Sequence, residues 1–132
     1  DGFDIAVVEC RGSLGSAPRL GVAGVVPPGE VEGIRECTMR GGNSGARRGF
    51  VACPINTFKP WTNCWMVIGK GGWFAKKADS GAPVTMWNGQ ILGHLVGIDG
   101  YGGERGRQEA GYVQDLGSQK AHVQSRFDVG LE

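Results

Sequence analysis

The sequence predicts an all-β domain, and three observations carry the prediction. Glycine makes up 25 of 132 residues, far above the usual level of roughly 7%, and at that density it weakens helix interiors. Short apolar runs recur between glycine clusters, the pattern of a sandwich or a barrel. Asn88-Gly89 stands between two such runs and is the strongest hairpin signal in the chain. The glycines follow no Gly-X-Y period and there are only 6 prolines, which excludes collagen-like sequence.

Residues 3–9 (FDIAVVE) form a continuous apolar run with β-branched side chains and read as a largely buried strand. Residues 11–30, with Gly12, Gly15, Pro18 and then Pro27-Pro28-Gly29, read as a connector. Candidate strands follow at 33–39, 48–54, 64–69, 83–87, 90–97 and 110–114. Residues 115–124 carry enough helix formers for a short terminal helix, which Gly117 weakens. The organisation is a lone strand (1–10), a connector (11–30) and a single barrel (31–132), without internal repeats.

Lys plus Arg is 14 and Asp plus Glu is 13, a net charge of +1. That balance gives no general reason to bind nucleic acid or an anionic membrane. No apolar run approaches the roughly 18 residues of a membrane-spanning helix. The start, Asp1-Gly2-Phe3-Asp4, has no signal-peptide character, as expected of a cytosolic protein or of a chain whose N-terminal part was removed. Cys10, Cys37, Cys53 and Cys64 allow two disulfides in three pairings, or free thiols. No CxxC pair exists and His94 and His122 lie far downstream, so no metal site is expected.

Two Ser-Gly contexts compete as nucleophile sites: Gly42-Asn43-Ser44-Gly45-Ala46 and Ala78-Asp79-Ser80-Gly81-Ala82-Pro83. A serine needs a base to take its proton and N–H groups to receive the developing oxyanion. A glycine-flanked tight turn can aim Oγ outward and present successive N–H groups, which favours the second context. Its bland alternative is a turn ahead of a hairpin.

The second stretch resembles the Gly-Asp-Ser-Gly-Gly-Pro signature of the chymotrypsin-like serine proteases. Further matches follow in the same order. Phe3-Asp4-Ile5-Ala6-Val7-Val8 is similar to that family's Asp-Ile-Ala strand, which supplies the triad aspartate. Residues 38–51 resemble its hairpin with a Ser/Thr-Gly turn, which makes Ser44 a turn serine. Residues 91–97 resemble the strand that lines the primary specificity pocket, and residues 110–114 the closing strand before a terminal helix. The resemblance implies a six-stranded antiparallel C-terminal barrel, the last strand of an N-terminal barrel and a short C-terminal helix. It implies a serine endopeptidase with Ser80 as nucleophile, Asp4 as orienting carboxylate and the N–H groups of Ala78 and Ser80 as oxyanion hole. No metal or organic cofactor is implied.

Three departures qualify the match. The family's chain order is His, Asp, Ser, and no residue here stands before Asp4 at a histidine position; His94 and His122 both follow Ser80 and neither is read as the base. Ala78 occupies a place usually held by glycine, a substitution costing about 1 kcal/mol if φ is positive there. Gly81-Ala82 replaces Gly-Gly with little expected consequence. The expected partner is therefore an N-terminal chain or fragment of the same precursor that carries the catalytic histidine, besides a peptide or protein substrate. An aspartate in an apolar strand needs a hydrogen-bond donor, and an imidazole from that partner is one. The alternative is a catalytically inactive protease-like binding module.

By the resemblance the specificity pocket is lined by Val96, Gly97 and Ile98, with Phe74 at its base and Asp99 at its rim. An aromatic base implies an apolar or uncharged P1 side chain. Glu- and Gln-specific relatives place a histidine on this strand, but Gly93-His94 is one residue out of register with their pattern, which turns the imidazole away. Lys76, Lys77, Arg47 and Arg48 read as solvated loop charge, or functionally as a basic rim that attracts acidic substrate segments. Trp61, Trp65, Trp73 and Trp87 read as core or barrel-mouth packing. Because all four cysteines precede Ser80, the bridge that secreted relatives place around the nucleophile is impossible, and the reading leans to reduced thiols in an intracellular or virus-encoded protein.

Overall fold

A computed structural model describes residues 2–6, 24–31, 33–58, 61–99 and 110–127. Six strands, β1 (Arg35–Gly41), β2 (Gly45–Phe58), β3 (Trp61–Gly69), β4 (Pro83–Met86), β5 (Ile91–Asp99) and β6 (Ala110–Asp115), are followed by helix α1 (Leu116–Phe127). All neighbours are antiparallel and the sheet closes in the order β1-β2-β3-β6-β5-β4. Closure removes the sheet edges that a glycine-rich sheet would otherwise expose. The predicted barrel and terminal helix are both present.

Side chains alternate inward from each strand. Cys37 and Met39 of β1, Val51, Val67, Val84, Leu95 and Val113 meet in one core. Phe74, from the segment between β3 and β4, fills the same interior. Its ring needs the glycines around it: a Cβ at Gly49 or at Gly111 would lie 2.7 Å from a ring carbon. Part of the unusual glycine content is therefore room for one phenylalanine.

The strands differ from expectation mainly at their ends. β2 runs from Gly45 to Phe58, through Pro54. β1 pairs with β2 only as far as Val51, so beyond it Pro54 has only β3 beside it and its missing N–H interrupts no ladder to β1. Arg47 and Arg48, expected in a loop, lie within β2. The hairpin between β4 and β5 turns at Asn88-Gly89, where Gly89 has φ 85° and Met86 N–H donates to Gln90 O at 2.8 Å. Asp115 ends β6 and caps α1, accepting from Ser118 N–H at 3.0 Å and from its hydroxyl. Gly117 belongs in this helix because the connector crosses it: a Cβ there would lie 2.6 Å from Val26 O.

Of the connector, residues 24–30 are described. Val25 bridges Ile91 and Val26 is buried against the barrel. The predicted lone strand is described only at residues 2–6, which carry no ladder; its remainder, with Cys10 and residues 11–23, lies outside the described residues. Of the four tryptophans, Trp65 is core and Trp87 is not, being 73% exposed. Among the described residues no helix is long and apolar enough to cross a membrane.

Candidate active site

The segment from Lys70 to Ala82 leaves β3, drops Phe74 and Ala75 into the core and returns as a tight turn ahead of β4. Asp79 N–H donates to Lys76 O at 3.1 Å and Ala82 N–H to Asp79 O at 3.0 Å, so two turns overlap at Asp79. Gly81 N–H donates to Leu95 O at 2.8 Å and Leu95 N–H to Ala82 O at 2.9 Å, which fastens the turn to β5. Ser80 is exposed at its tip. Ala78 has φ 78°, a left-handed conformation unusual for a residue with a Cβ, and Gly81 has φ 88°. Among the described residues the N–H groups of Ala78 and Ser80 meet no acceptor.

Asp79, to which the sequence reading gave no role, anchors the turn. Its carboxylate is buried and accepts from Asn43 N–H and Ser44 N–H at 3.1 Å each, from Lys76 N–H at 2.9 Å and from the Ser44 hydroxyl. Burial alone would raise its pKa; the hydrogen bonds from Ser44, Lys76 and Asn43 outweigh burial and hold the carboxyl below its ordinary value. Asn43 Nδ2 also donates to Lys77 O at 3.0 Å. The two Ser-Gly turns that competed as nucleophile sites are thus one structure, with Ser44 supporting the turn that carries Ser80. The available signal was the polar Asn43-Ser44 pair itself, a set of donors on a hairpin turn.

A second clasp joins the same two segments. The Arg47 guanidinium lies 3.8 Å over the Trp73 ring and donates to Trp73 O, while Lys76 Nζ lies 4.5 Å over that ring. Trp73 is held between two cations, which is why neither Arg47 nor Lys76 is simply solvated.

Among the described residues Asp4 shares no hydrogen bond with this cluster. Its side chain is 46% exposed and Oδ2 lies 3.1 Å from His94 Nε2. The donor expected from another chain is thus met, on one oxygen, by a histidine of this chain. Phe3 stacks on His122 with ring centroids 4.6 Å apart. No hydrogen bond joins Ser80 Oγ to Asp4 or to His94 among the described residues.

The expected pocket residues divide. Phe74 has no exposed surface, because its ring is enclosed in the core. Val96, Gly97 and Ile98 are half-buried on β5, where the pairing with β6 shifts register between Leu95 and Gly97. A bulge here re-aims the strand beside the Ser80 turn. Asp99 is the last residue of β5. A cavity of about 380 Å³ lies elsewhere, lined by Pro28, Val31, Ile55, Asn63, Trp65 and Ser118 among others, and shares no residue with the turn.

Among the described residues no three His, Cys, Asp or Glu side chains converge on a metal position. Cys37, Cys53 and Cys64 are free thiols. Burial, with the nearby Glu36 charge, pushes the Cys37 thiol up to about 12 despite a hydrogen bond with the Gly49 backbone, and burial pushes Cys64 to about 11. Cys53 is exposed. Comparison of the chain with protein-family models and with curated proteins finds no match.

Proposed function

We propose that the chain is the C-terminal part of a chymotrypsin-like serine endopeptidase that cleaves peptide bonds through an acyl-enzyme on Ser80. The observation that carries this reading is the turn at 76–82. An exposed serine stands two residues after one held at φ 78°, two N–H groups meet no acceptor among the described residues, and a buried carboxylate fixes the whole. A peptide carbonyl attacked by Ser80 Oγ directs its oxygen at the Ala78 and Ser80 N–H groups. As the Oγ–carbon bond forms, the serine proton passes to a histidine supplied by the N-terminal part of the same precursor. Asp4 orients that imidazole, which then protonates the leaving amine; water hydrolyses the ester. Val96, Gly97 and Ile98 border the P1 side chain.

A second reading, a catalytically inactive binding module on a protease-like barrel, is favoured by one observation. The histidine that meets Asp4 within this chain is not hydrogen-bonded to Ser80. A fluorophosphonate probe separates the two when the histidine-bearing polypeptide is present. An adduct on Ser80 that is absent in Ser80→Ala is expected, and intact-mass analysis reads it. No adduct under those conditions overturns the protease reading in favour of the module.

A further inference from the structure

Two glutamines are buried where this barrel has no need of polar groups for its own packing. Gln114 on β6 has no exposed surface and Gln119 on α1 has almost none. A buried amide is unfavourable unless its donors and acceptors are matched. Gln114 has two of each, and all four are used. Oε1 accepts from Asp4 N–H at 2.7 Å and from Gln119 Nε2 at 2.7 Å. Nε2 donates to Gly2 O at 2.7 Å and to Thr62 O at 2.8 Å. Gln119 Nε2 reaches Asp4 O at 3.3 Å, and Thr62 N–H donates to Gly2 O at 2.7 Å.

These bonds engage only main-chain atoms of the N-terminal segment. Gly2 C=O, Asp4 N–H and Asp4 C=O are each met, which fixes the register of a segment that has no ladder to fix it. A slip of one residue would turn Asp4 to the opposite side. Backbone capture leaves the Asp4 side chain to be presented. His94 takes Oδ2, while Oδ1 has no partner among the described residues, and the side chain remains 46% exposed.

We propose that Gln114 and Gln119 clamp residues 2–4 onto the C-terminal barrel, and that with His94 they are positioning residues presenting Asp4 Oδ1 to a second imidazole. The positioning role rests on the reading of Asp4 as the triad carboxylate; the clamp does not. His94 acts from the side of the C-terminal barrel and stays on its own oxygen when the partner's imidazole binds the other.

The clamp is tested on the full chain by amide exchange. Because Gln114→Leu risks the fold, Gln119→Leu and Asp4→Asn are the working variants. Gln119→Leu leaves the Asp4 N–H bond to Gln114 in place but removes the donor to Asp4 O and to Gln114 Oε1, and by easing local opening of the segment is expected to speed exchange at Asp4 by about tenfold, with protection in β1–β6 unchanged. The His94 imidazole ¹⁵N signal is expected to move in Asp4→Asn and in Gln119→Leu. Unchanged exchange at Asp4, or a His94 signal indifferent to both variants, overturns the clamp. In complex with the histidine-bearing polypeptide, His94→Leu is expected to lower kcat about tenfold at constant KM. His94→Gln, whose amide nitrogen reaches a similar position, is expected to restore most of it. An unchanged kcat in His94→Leu overturns the positioning role. If Ser80 never labels with phosphonate, the protease reading falls and takes the positioning role with it, whereas exchange and imidazole shifts still decide the clamp.

Discussion

Asp79→Asn keeps the shape of the side chain at the base of the Ser80 turn and removes its charge and one acceptor. Oδ1 serves Asn43 and Ser44 N–H, and Oδ2 serves Lys76 N–H and the Ser44 hydroxyl. With the amide nitrogen in place of Oδ2, the Ser44 hydroxyl can rotate to accept from it, but Lys76 N–H faces a donor. One unmatched buried donor costs about 1–3 kcal/mol, and neutralising the acceptor of the two remaining bonds costs about 1 kcal/mol each. The expected loss is about 3–5 kcal/mol, a large share of the roughly 5–15 kcal/mol that holds a domain together. Ser44→Ala removes one donor from a half-buried position that water can reach, and should cost about 1–2 kcal/mol. Urea unfolding at neutral pH compares the two. The pH dependence gives a second measure. The carboxyl titrates below its ordinary value of 3.8 in the folded chain, so its contribution is complete above that value and drains as pH falls through the folded pKa. Asp79→Asn should therefore flatten the acid limb of stability against pH. An Asp79→Asn variant that loses less than Ser44→Ala, or one whose acid limb stays as steep as the wild type, would refute the anchoring role.

Two further outcomes are expected. Ala78→Gly should raise stability by about 0.5–1 kcal/mol, because relief of the left-handed strain at φ 78° exceeds the entropy added to the unfolded chain; a loss in urea midpoint would mean that the strain is not there. In native protein at pH 8, iodoacetamide followed by peptide mapping should find Cys53 modified, with Cys37 and Cys64 reacting only after unfolding, since burial holds their thiols at about 12 and about 11. Native Cys37 reacting as fast as Cys53 would contradict its burial in β1.

The barrel was legible because its signals are local. Alternating apolar runs and Asn88-Gly89 fix strands and a turn from neighbouring residues alone, and all six strands stand near their expected places. Their ends were less legible. The strand expected at 48–54 runs on through Pro54 because the early end of β1 leaves that stretch of β2 without a second neighbour. Gly117, which weakens the expected helix, is required because the connector crosses it. The positive φ of Ala78 meets the condition that the resemblance set, since glycine usually holds that place in the family. The ties that hold the turn were not legible. Asp79 with Ser44 and Arg47 with Trp73 join residues 35 and 26 positions apart, and nothing in the local composition of either segment points to the other. Gln114 and Gln119 were invisible for the same reason, as ordinary polar residues at the end of a strand and in a helix.

The surroundings of the two aspartates explain why adjacency to the serine is a poor guide to chemistry. Asp79 is next to Ser80 in the chain, yet both of its oxygens are spent on four donors and its carboxyl is held below the ordinary range. A carboxylate in that state has no lone pair to offer an imidazole without first releasing the hairpin, which would unmake the turn that aims Ser80. Asp4 lies far away in sequence, is half exposed, and has one oxygen on His94 and one with no partner among the described residues. Environments that separate two like groups in this way also separate their roles. The buried carboxylate sets the shape of the turn, whereas the Asp4 side chain is left exposed to meet an outside partner.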